Sequence, residues 1–462
     1  MSFTTCHIHF TRRNGNTIYA TGSLFNQLKL PSTKKSVKIA FGKKKVSTPI
    51  RRIRRPGNHL FLPPSVRSVI RVPRRGVSYI LNQSGELKIG PLIGIMCSSA
   101  YRTAQQPFGK RSELIKSFLR HGNDKAFYFA FRPRDIDWKN ETVIAWFPNE
   151  AGQWERKTVP LPDVVYNRLP SRSAEKSQAI LGLKERFLRR NIPIFNWSFF
   201  DKWDVYDLLK NDPDASVHVP ESIINPSPEQ LRQMLEKHSF IYLKPTGGSL
   251  GIGIFRITYH KNSGYFVRYR RGSRNVLLRF NQFSGLMRLL NNLTRGRMKN
   301  YVAQQGIRLL ELDGSPIDFR FHMNKNGRNE WVVGGIGAKR AGRGSITTHV
   351  RTGGQVIPPE KALTRILGEE KARAALQEAK QTAIKLARAI ERNYRYRIGE
   401  LGFDLGIDKD GKIWMFEANS KPGRSIFKHP ALKEQGRETL SLIFEHCLYL
   451  AKFRNPKGEE ST

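Results

Sequence analysis

The stretch Glu400-Leu-Gly-Phe-Asp404-Leu-Gly-Ile-Asp408-Lys-Asp410-Gly411-Lys-Ile-Trp-Met-Phe-Glu417-Ala-Asn419-Ser-Lys-Pro-Gly423 decides the reading of this chain, because it reads as a hairpin with three oxygen donors on one face. Asp410-Gly411 is a two-residue hairpin turn signal and sets Lys409 opposite Lys412. Counting outward, Asp404 falls opposite Glu417. Side chains alternate along a strand, so Glu417 and Asn419 share a face with Asp404, while Phe403, Leu405, Ile407, Trp414, Phe416 and Ala418 are expected to point into a core. Two carboxylates facing each other across a ladder repel unless a cation lies between them. An all-oxygen set with few protein ligands suits Mg²⁺, which completes its octahedron with phosphate oxygens and water. A surface hairpin with incidental acids is the alternative that this segment alone leaves open.

A second segment, Phe240-Ile-Tyr-Leu-Lys244-Pro-Thr-Gly247-Gly248-Ser249-Leu-Gly251-Ile-Gly253-Ile-Phe-Arg-Ile257, reads as strand, glycine-rich loop, strand. Glycines let a backbone approach a polyanion and offer it N–H groups, and a lysine beside the loop supplies a point charge. The loop lacks the Gly-Lys-Ser/Thr of a Walker A motif and opens no helix, which excludes a Rossmann fingerprint. Taken alone, such a loop is also compatible with a plain turn.

In this order the two segments resemble the ATP-grasp superfamily. Tyr301-Val-Ala-Gln304-Gln305-Gly306-Ile307 is similar to the linker whose backbone reads the adenine edge, and Asp318-Phe-Arg320 to the Asp-x-Arg strand of RimK-type glutamate ligases. Ala338-Lys339-Arg340, then Thr348-His349-Val-Arg-Thr-Gly353-Gly354, resembles the basic residue for the transferred phosphate and the Asn-x-x-x-Gly-Gly loop, with His349 where asparagine is usual. Asp201-Lys202-Trp203 resembles the site of the first nucleotide-binding lysine. Ile89-Gly-Pro-Leu-Ile-Gly-Ile95, Gln106-Pro-Phe-Gly-Lys-Arg111, Pro160-Leu-Pro-Asp-Val-Val-Tyr-Asn-Arg168 and Ile194-Phe-Asn-Trp-Ser-Phe-Phe-Asp-Lys-Trp203 extend the likeness to the YheC/YheD group, ATP-grasp-like proteins named as endospore coat-associated.

The resemblance implies a set of roles. Lys202 and Lys244 would hold the α and β phosphates of ATP, and the loop carrying Gly247, Gly248, Ser249, Gly251 and Gly253 would close over β and γ. Gln304, Gln305, Gly306 and Ile307 would line the adenine, with Arg320 beside the nucleotide. Asp404, Glu417 and Asn419 would hold one or two Mg²⁺, and Arg340, with Lys244, would face the reacting phosphate. The activity implied is an ATP-dependent carboxylate–amine ligase acting through an acyl phosphate, with both substrates unidentified. A non-catalytic spore-associated ATP-binding protein and a nucleic-acid-binding protein are the rivals.

Composition bounds these readings. With 39% apolar and 10% aromatic residues, the 462-residue chain has the makings of large cores and is not a disordered polymer. Its start shows no basic-then-apolar signal pattern and no segment approaches a membrane span, so a cytoplasmic protein is expected, spore-associated on the family likeness. Cys6, Cys97 and Cys447 are too few and too far apart for a disulfide framework or zinc site. The net charge of +42 is uneven: residues 1–85 hold seventeen Lys or Arg and no acid, and Lys237 to Leu310 is again free of acids. Such a field gathers polyanions, which names nucleic acid or an acidic polymer as partners; a merely solubilising surface is the other reading.

The fold class expected is α/β (α+β): a small basic β-rich domain over 1–85, an α/β pre-ATP-grasp domain over 86–200, and an ATP-grasp domain over 201–455. The run from Leu87 to Ile95 reads as one buried strand, Pro228 to Glu236 and Ser112 to Leu119 as helices. Glu360 to Arg397 reads as helical throughout, and Leu432 to Phe453 as a closing helix whose Phe444, Cys447, Leu448 and Ala451 pack in a core.

Overall fold

The computed structural model describes residues 2–453, apart from 13, 99–102, 121, 123, 248–252, 273, 343–344 and 346–353. The chain divides into two compact units: Met1–Ser198 with Lys325–Glu330 and Leu440–Thr462, and Phe199–Asn324 with Trp331–Thr439.

The first unit opens with a closed seven-stranded barrel of Ser2–Phe10, Ile18–Thr21, Ser36–Phe41, Lys44–Ile53, His59–Leu62, Gly76–Gln83 and Glu86–Gly90. Alternation builds it: Ile8, Ile18, Ala20, Ile39, Leu60 and Ile80 are buried inside, outward neighbours such as His7, Tyr19, Lys38 and Phe61 are exposed or half-buried, and Tyr79 and Leu81 pack into the next core. Closure leaves no open edge on this strand-rich, basic segment. The run expected as one strand is two. Glu86–Gly90 completes the barrel, and Leu92–Met96 belongs to the next sheet, because Pro91 has no N–H to carry a ladder across the junction. The barrel therefore ends at residue 90, where the sequence places its edge at 85.

That next sheet has seven strands, in which Leu92–Met96 runs parallel to Phe127–Phe131 and to Val164–Asn167. The last helix among the described residues, Lys433–Leu450, contributes Leu440, Ile443, Phe444 and Cys447 to the same core as Ile93, Ile95, Tyr128 and Tyr166. Residues 440–453 thus pack in the first unit, although the sequence assigns them to the ATP-grasp domain.

The second unit contains two antiparallel sheets. One orders its strands Ser222–Ile224, Tyr301–Gln305, Phe240–Pro245, Phe255–His260, Gly264–Arg271, Arg274–Phe280. Helices Pro228–His238 and Phe283–Thr294 cover one of its faces, with Leu231, Leu235, Leu286 and Leu290 against Ile241, Leu243 and Ile257. The first of these helices starts at a reciprocal cap: the Gln230 N–H donates to Ser227 Oγ at 3.1 Å, and the Ser227 N–H to Gln230 Oε1 at 2.9 Å. Ser227→Ala is expected to cost about 1 kcal/mol, read as a small fall in the urea midpoint.

The other sheet runs Gln355–Ile357, Trp331–Arg340, Ser315–Lys325, Glu400–Ile407, Ile413–Asn419. It packs Phe319, Phe321, Phe403 and Leu405 against Leu376, Ala383, Leu386 and Ile390 of the helix Glu369–Asn393. The single helix expected from 360 to 397 is broken into Pro359–Leu367 and Glu369–Asn393 at Gly368, whose φ of 79° no helical residue adopts. Among the described residues no helix is long and apolar enough to cross a membrane.

Candidate functional site

The deciding hairpin forms, by a different route from the one the sequence suggests. Its loop is one residue longer: Ile407 pairs with Ile413, the Asp408 N–H donates to the Lys412 carbonyl at 3.0 Å, and Gly411 takes a φ of 86°. Asp408 Oδ1 holds the loop by accepting from the N–H groups of Asp410 and Lys412. A bulge between Asp404 and Leu405 then restores the count, since Leu405 faces Met415 while Asp404 faces Glu417. The two departures cancel at Asp404 and do not cancel before it. Ile413 and Met415 occupy the core, in place of the expected Trp414 and Phe416. Trp414 donates its indole N–H to Asp408 Oδ2 at 2.7 Å, and the Phe416 ring lies 5.9 Å from the Lys244 ammonium.

Asp404 sits in a compact ion cluster. Arg320, directly opposite it on the neighbouring strand, donates from Nε to Oδ1 at 2.7 Å and from Nη2 to Oδ2 at 3.0 Å. Lys339 Nζ reaches Asp404 Oδ1 and Asp318 Oδ1, both at 2.9 Å. All of these side chains are less than one-fifth exposed. Burial alone would raise the Asp404 pKa, but the charges of Arg320 and Lys339 outweigh it and hold the carboxyl well below the usual range. Burial likewise disfavours the Lys339 ammonium, and Asp318 with Asp404 reverses that and raises its pKa.

Arg340 stands elsewhere. Alternation along Trp331–Arg340 turns Lys339 and Arg340 to opposite faces. The Arg340 guanidinium donates to Asp313 Oδ2 at 2.5 Å and to Gln355 Oε1 at 2.8 Å, and Asp313 also pairs with Arg365. Of these two adjacent basic residues, the one that joins Arg320 beside Asp404 is therefore Lys339, which the sequence reading passes over in favour of its neighbour. Residue order does not mark which of two adjacent basic residues on a strand faces Asp318 and Asp404, so the sequence alone does not separate them.

Lys244 donates to Gln304 Oε1 at 2.6 Å, and Gln304 Nε2 donates to Ser222 Oγ at 3.2 Å. Its ammonium also lies 5.3 Å from the Tyr242 ring centre. In the linker, the Gln305 N–H donates to the Glu221 carbonyl at 2.8 Å, and the Gly306 N–H to that of Phe240 at 3.0 Å. A Cβ on Gly306 would lie 2.2 Å from the Phe240 ring, which explains glycine there. Ile307 is half-buried. Beside Gln305 opens a cleft of about 310 Å³ lined by Tyr206, Val219, Glu221, Lys412 and Trp414.

At the mouth of the glycine loop Gly247 is exposed, and Gly253 has a φ of 74°, a conformation that suits glycine. Gly248, Ser249 and Gly251 lie outside the described residues, as does His349. Lys202 begins the helix Lys202–Leu209 behind the cap made by Asp201 and Asp204; its side chain is outside the described set.

Asp404, Glu417 and Asn419 come from two paired strands, with Asn419 opposite Gly402. Among the described residues there is no cluster of three or more His, Cys, Asp or Glu side chains fit for a metal. Two carboxylates and an amide fit Mg²⁺ only where phosphate oxygens and water complete the shell, which suits a metal arriving with a nucleotide.

The description YheC/D-like ATP-grasp matches residues 191–450. Endospore coat-associated protein YheD of Bacillus subtilis strain 168 is 34% identical over 433 residues, covering 92% of this chain and 94% of the relative. Endospore coat-associated protein YheC of the same strain is 23% identical over 340 residues, covering 72% and 90%. Among solved structures, VanG D-Ala:D-Ser ligase from Enterococcus faecalis covers 78% of this chain and 99% of its own at 12% identity and a TM-score of 0.46, too low to build on. The paired sheets, the glycine loop after Lys244 and the oxygen-bearing hairpin fall inside the matched span, and the chain belongs to the YheC/D-like ATP-grasp family.

Proposed function

We propose that the protein binds Mg-ATP and acts as an ATP-dependent carboxylate–amine ligase. The observation that carries this reading is the face shared by Asp404, Glu417 and Asn419, set against the buried cations Arg320 and Lys339. Lys202 and Lys244 hold the α and β phosphates, and the loop from Gly247 to Gly253 covers β and γ. The linker Gln304, Gln305, Gly306 and Ile307 reads the adenine edge, with Tyr242 and Phe416 offering apolar faces near Lys244. Lys339 takes the place that the family likeness gives to Arg340, facing the γ-phosphate together with Arg320.

Without nucleotide, Arg320 and Lys339 satisfy Asp404. With nucleotide, the γ-phosphate would offer Arg320 and Lys339 a second anion, and Asp404, with Glu417 and Asn419, would hold Mg²⁺, so that no charge is left bare in a low-dielectric site. Bound Mg²⁺ supplies charge neutralisation at the phosphates. A substrate carboxylate oxygen attacks the γ-phosphorus and ADP leaves. The amine nitrogen then attacks the acyl carbon, phosphate leaves, and the nitrogen loses a proton to give the amide. Phosphoryl transfer of this kind rests on positioning and electrostatics and needs no protein nucleophile. The names of the two Bacillus relatives support a role in or around the spore, where a ligase or a non-catalytic ATP-binding coat component would each serve.

A nucleotide titration tests the site. Lys244→Ala is expected to weaken Mg-ATP binding by about 10- to 100-fold, the worth of one charge-assisted phosphate contact. Unchanged affinity in both Lys202→Ala and Lys244→Ala would remove the phosphate site. Binding without ADP release, when ATP is supplied with cell extract, would favour the non-catalytic reading.

A further inference from the structure

The outer wall of the N-terminal barrel carries an ordered row of rings. Across four neighbouring strands His9 faces Phe61, Phe61 faces Tyr19, and Tyr19 faces Arg51; one pleat along, His7 faces His59. The residues between them, Ile8, Ile18, Ala20 and Leu60, point into the barrel, so the row points out. His9 and Phe61 stack with ring centres 4.5 Å apart, and His59 lies 5.1 Å from His9 and 5.3 Å from His7. His7 is exposed, and His9, Tyr19, His59 and Phe61 are each half-buried, which leaves part of every ring to solvent.

Cations rim this row. The Arg55 guanidinium carbon lies 5.6 Å from the Phe61 centre, and Arg51, Arg54 and Arg55 are all exposed, while Arg52, opposite Ala20, is on the other face of its strand. No acid occurs before Glu86 to balance them. The histidines are crowded as well: His9 Nε2 and His59 Nδ1 are 2.8 Å apart, and burial, their mutual charge, His7 and Arg55 all disfavour protonating them. Cross-strand ring pairs stabilise a sheet. That role does not call for three imidazoles and an arginine with no counter-charge.

We propose that this wall binds single-stranded nucleic acid, with unpaired bases stacking on Phe61, His9 and Tyr19 and phosphates held by Arg51, Arg54 and Arg55. The pairing of stacking rings with a basic rim is what a sequence-tolerant single-strand surface needs. A duplex keeps its base faces buried, and an acidic polypeptide has none, so charge alone would treat the three alike. Phosphates near His9 and His59 favour their protonated forms, and binding therefore takes up protons and tightens as pH falls from neutral toward 5.5.

The test is fluorescence anisotropy with the full chain and a labelled oligothymidylate, against a duplex and poly-glutamate at the same near-physiological ionic strength. The single strand is expected to bind tightest. Phe61→Leu and Tyr19→Leu, which keep apolar cross-strand packing, should each weaken it roughly tenfold and leave duplex binding unchanged. Arg51→Ala with Arg55→Ala should flatten the salt dependence by roughly 0.7 per lost phosphate contact. Circular dichroism confirms the barrel in each variant. Equal affinity for all three polymers, or single-strand binding indifferent to both ring substitutions, would overturn the stacking surface, as would no binding to the oligonucleotide.

Discussion

Glu417→Gln is expected to lower Mg-dependent ATP turnover by about a hundredfold or more, on the order of 3 kcal/mol of transition-state stabilisation. The substitution keeps shape and hydrogen-bonding capacity and removes one charge from the face where Asp404 and Glu417 oppose each other. Arg320 and Lys339 already neutralise Asp404 and both stay in place in the variant, so it should fold about as well as the parent. Raising Mg²⁺ should recover only part of the lost rate, because a neutral amide oxygen is a weaker ligand. The measurement is phosphate release against Mg²⁺ concentration, beside a urea curve. Parent-level turnover would show that the oxygen face is not the metal site, even if nucleotide still binds.

Arg320→Met is expected to destabilise the second unit by about 3–5 kcal/mol, because it strips a buried carboxylate of its bidentate partner and leaves Lys339 to serve Asp318 and Asp404 together. Most of that cost belongs to the carboxylate left behind. Adding Asp404→Asn should then recover a substantial part of the loss, a sign that additive effects would not produce. Urea unfolding of the two single variants and the double variant gives the coupling directly. A cost below about 1 kcal/mol for Arg320→Met would mean that the cluster is solvated and contributes as little as a surface pair.

Much of this site was legible in the sequence because its elements are local. A hairpin carries its register in its own turn, and Asp404 opposite Glu417 follows from counting. Even so, the count survives through two compensating irregularities. A loop one residue longer and a bulge at Phe416 both depend on how Asp408 caps the turn and on what the core accepts, and neither is marked in the order of residues. The consequence is chemical: Phe416 is freed from the core and lies near Lys244.

Other features needed the third dimension. Adjacent basic residues in a strand point to opposite faces, and only the neighbouring strand with Asp318 and Arg320 reveals that Lys339 is the inward one. The run through Gly90-Pro91 is uniformly apolar, so hydropathy reads one strand where proline divides two sheets. At Gly368 the helical periodicity continues on both sides, and a single positive φ resets its direction. The barrel's row of rings was illegible for a related reason. His9, Tyr19, Arg51 and Phe61 are far apart in the chain, and only closure of the barrel sets them side by side.

The return of the last helix to the first unit bears on the order in which the protein is made. All of Phe199–Thr439 is made before Leu440 is added, whereas the core around Ile93, Tyr128 and Tyr166 lacks Phe444 and Cys447 until the second unit is complete. The first unit is thus begun before the second and completed after it. A message cut short before codon 440 would yield a complete second unit attached to a first unit with an open hydrophobic seam, the kind of surface that chaperones and proteases recognise.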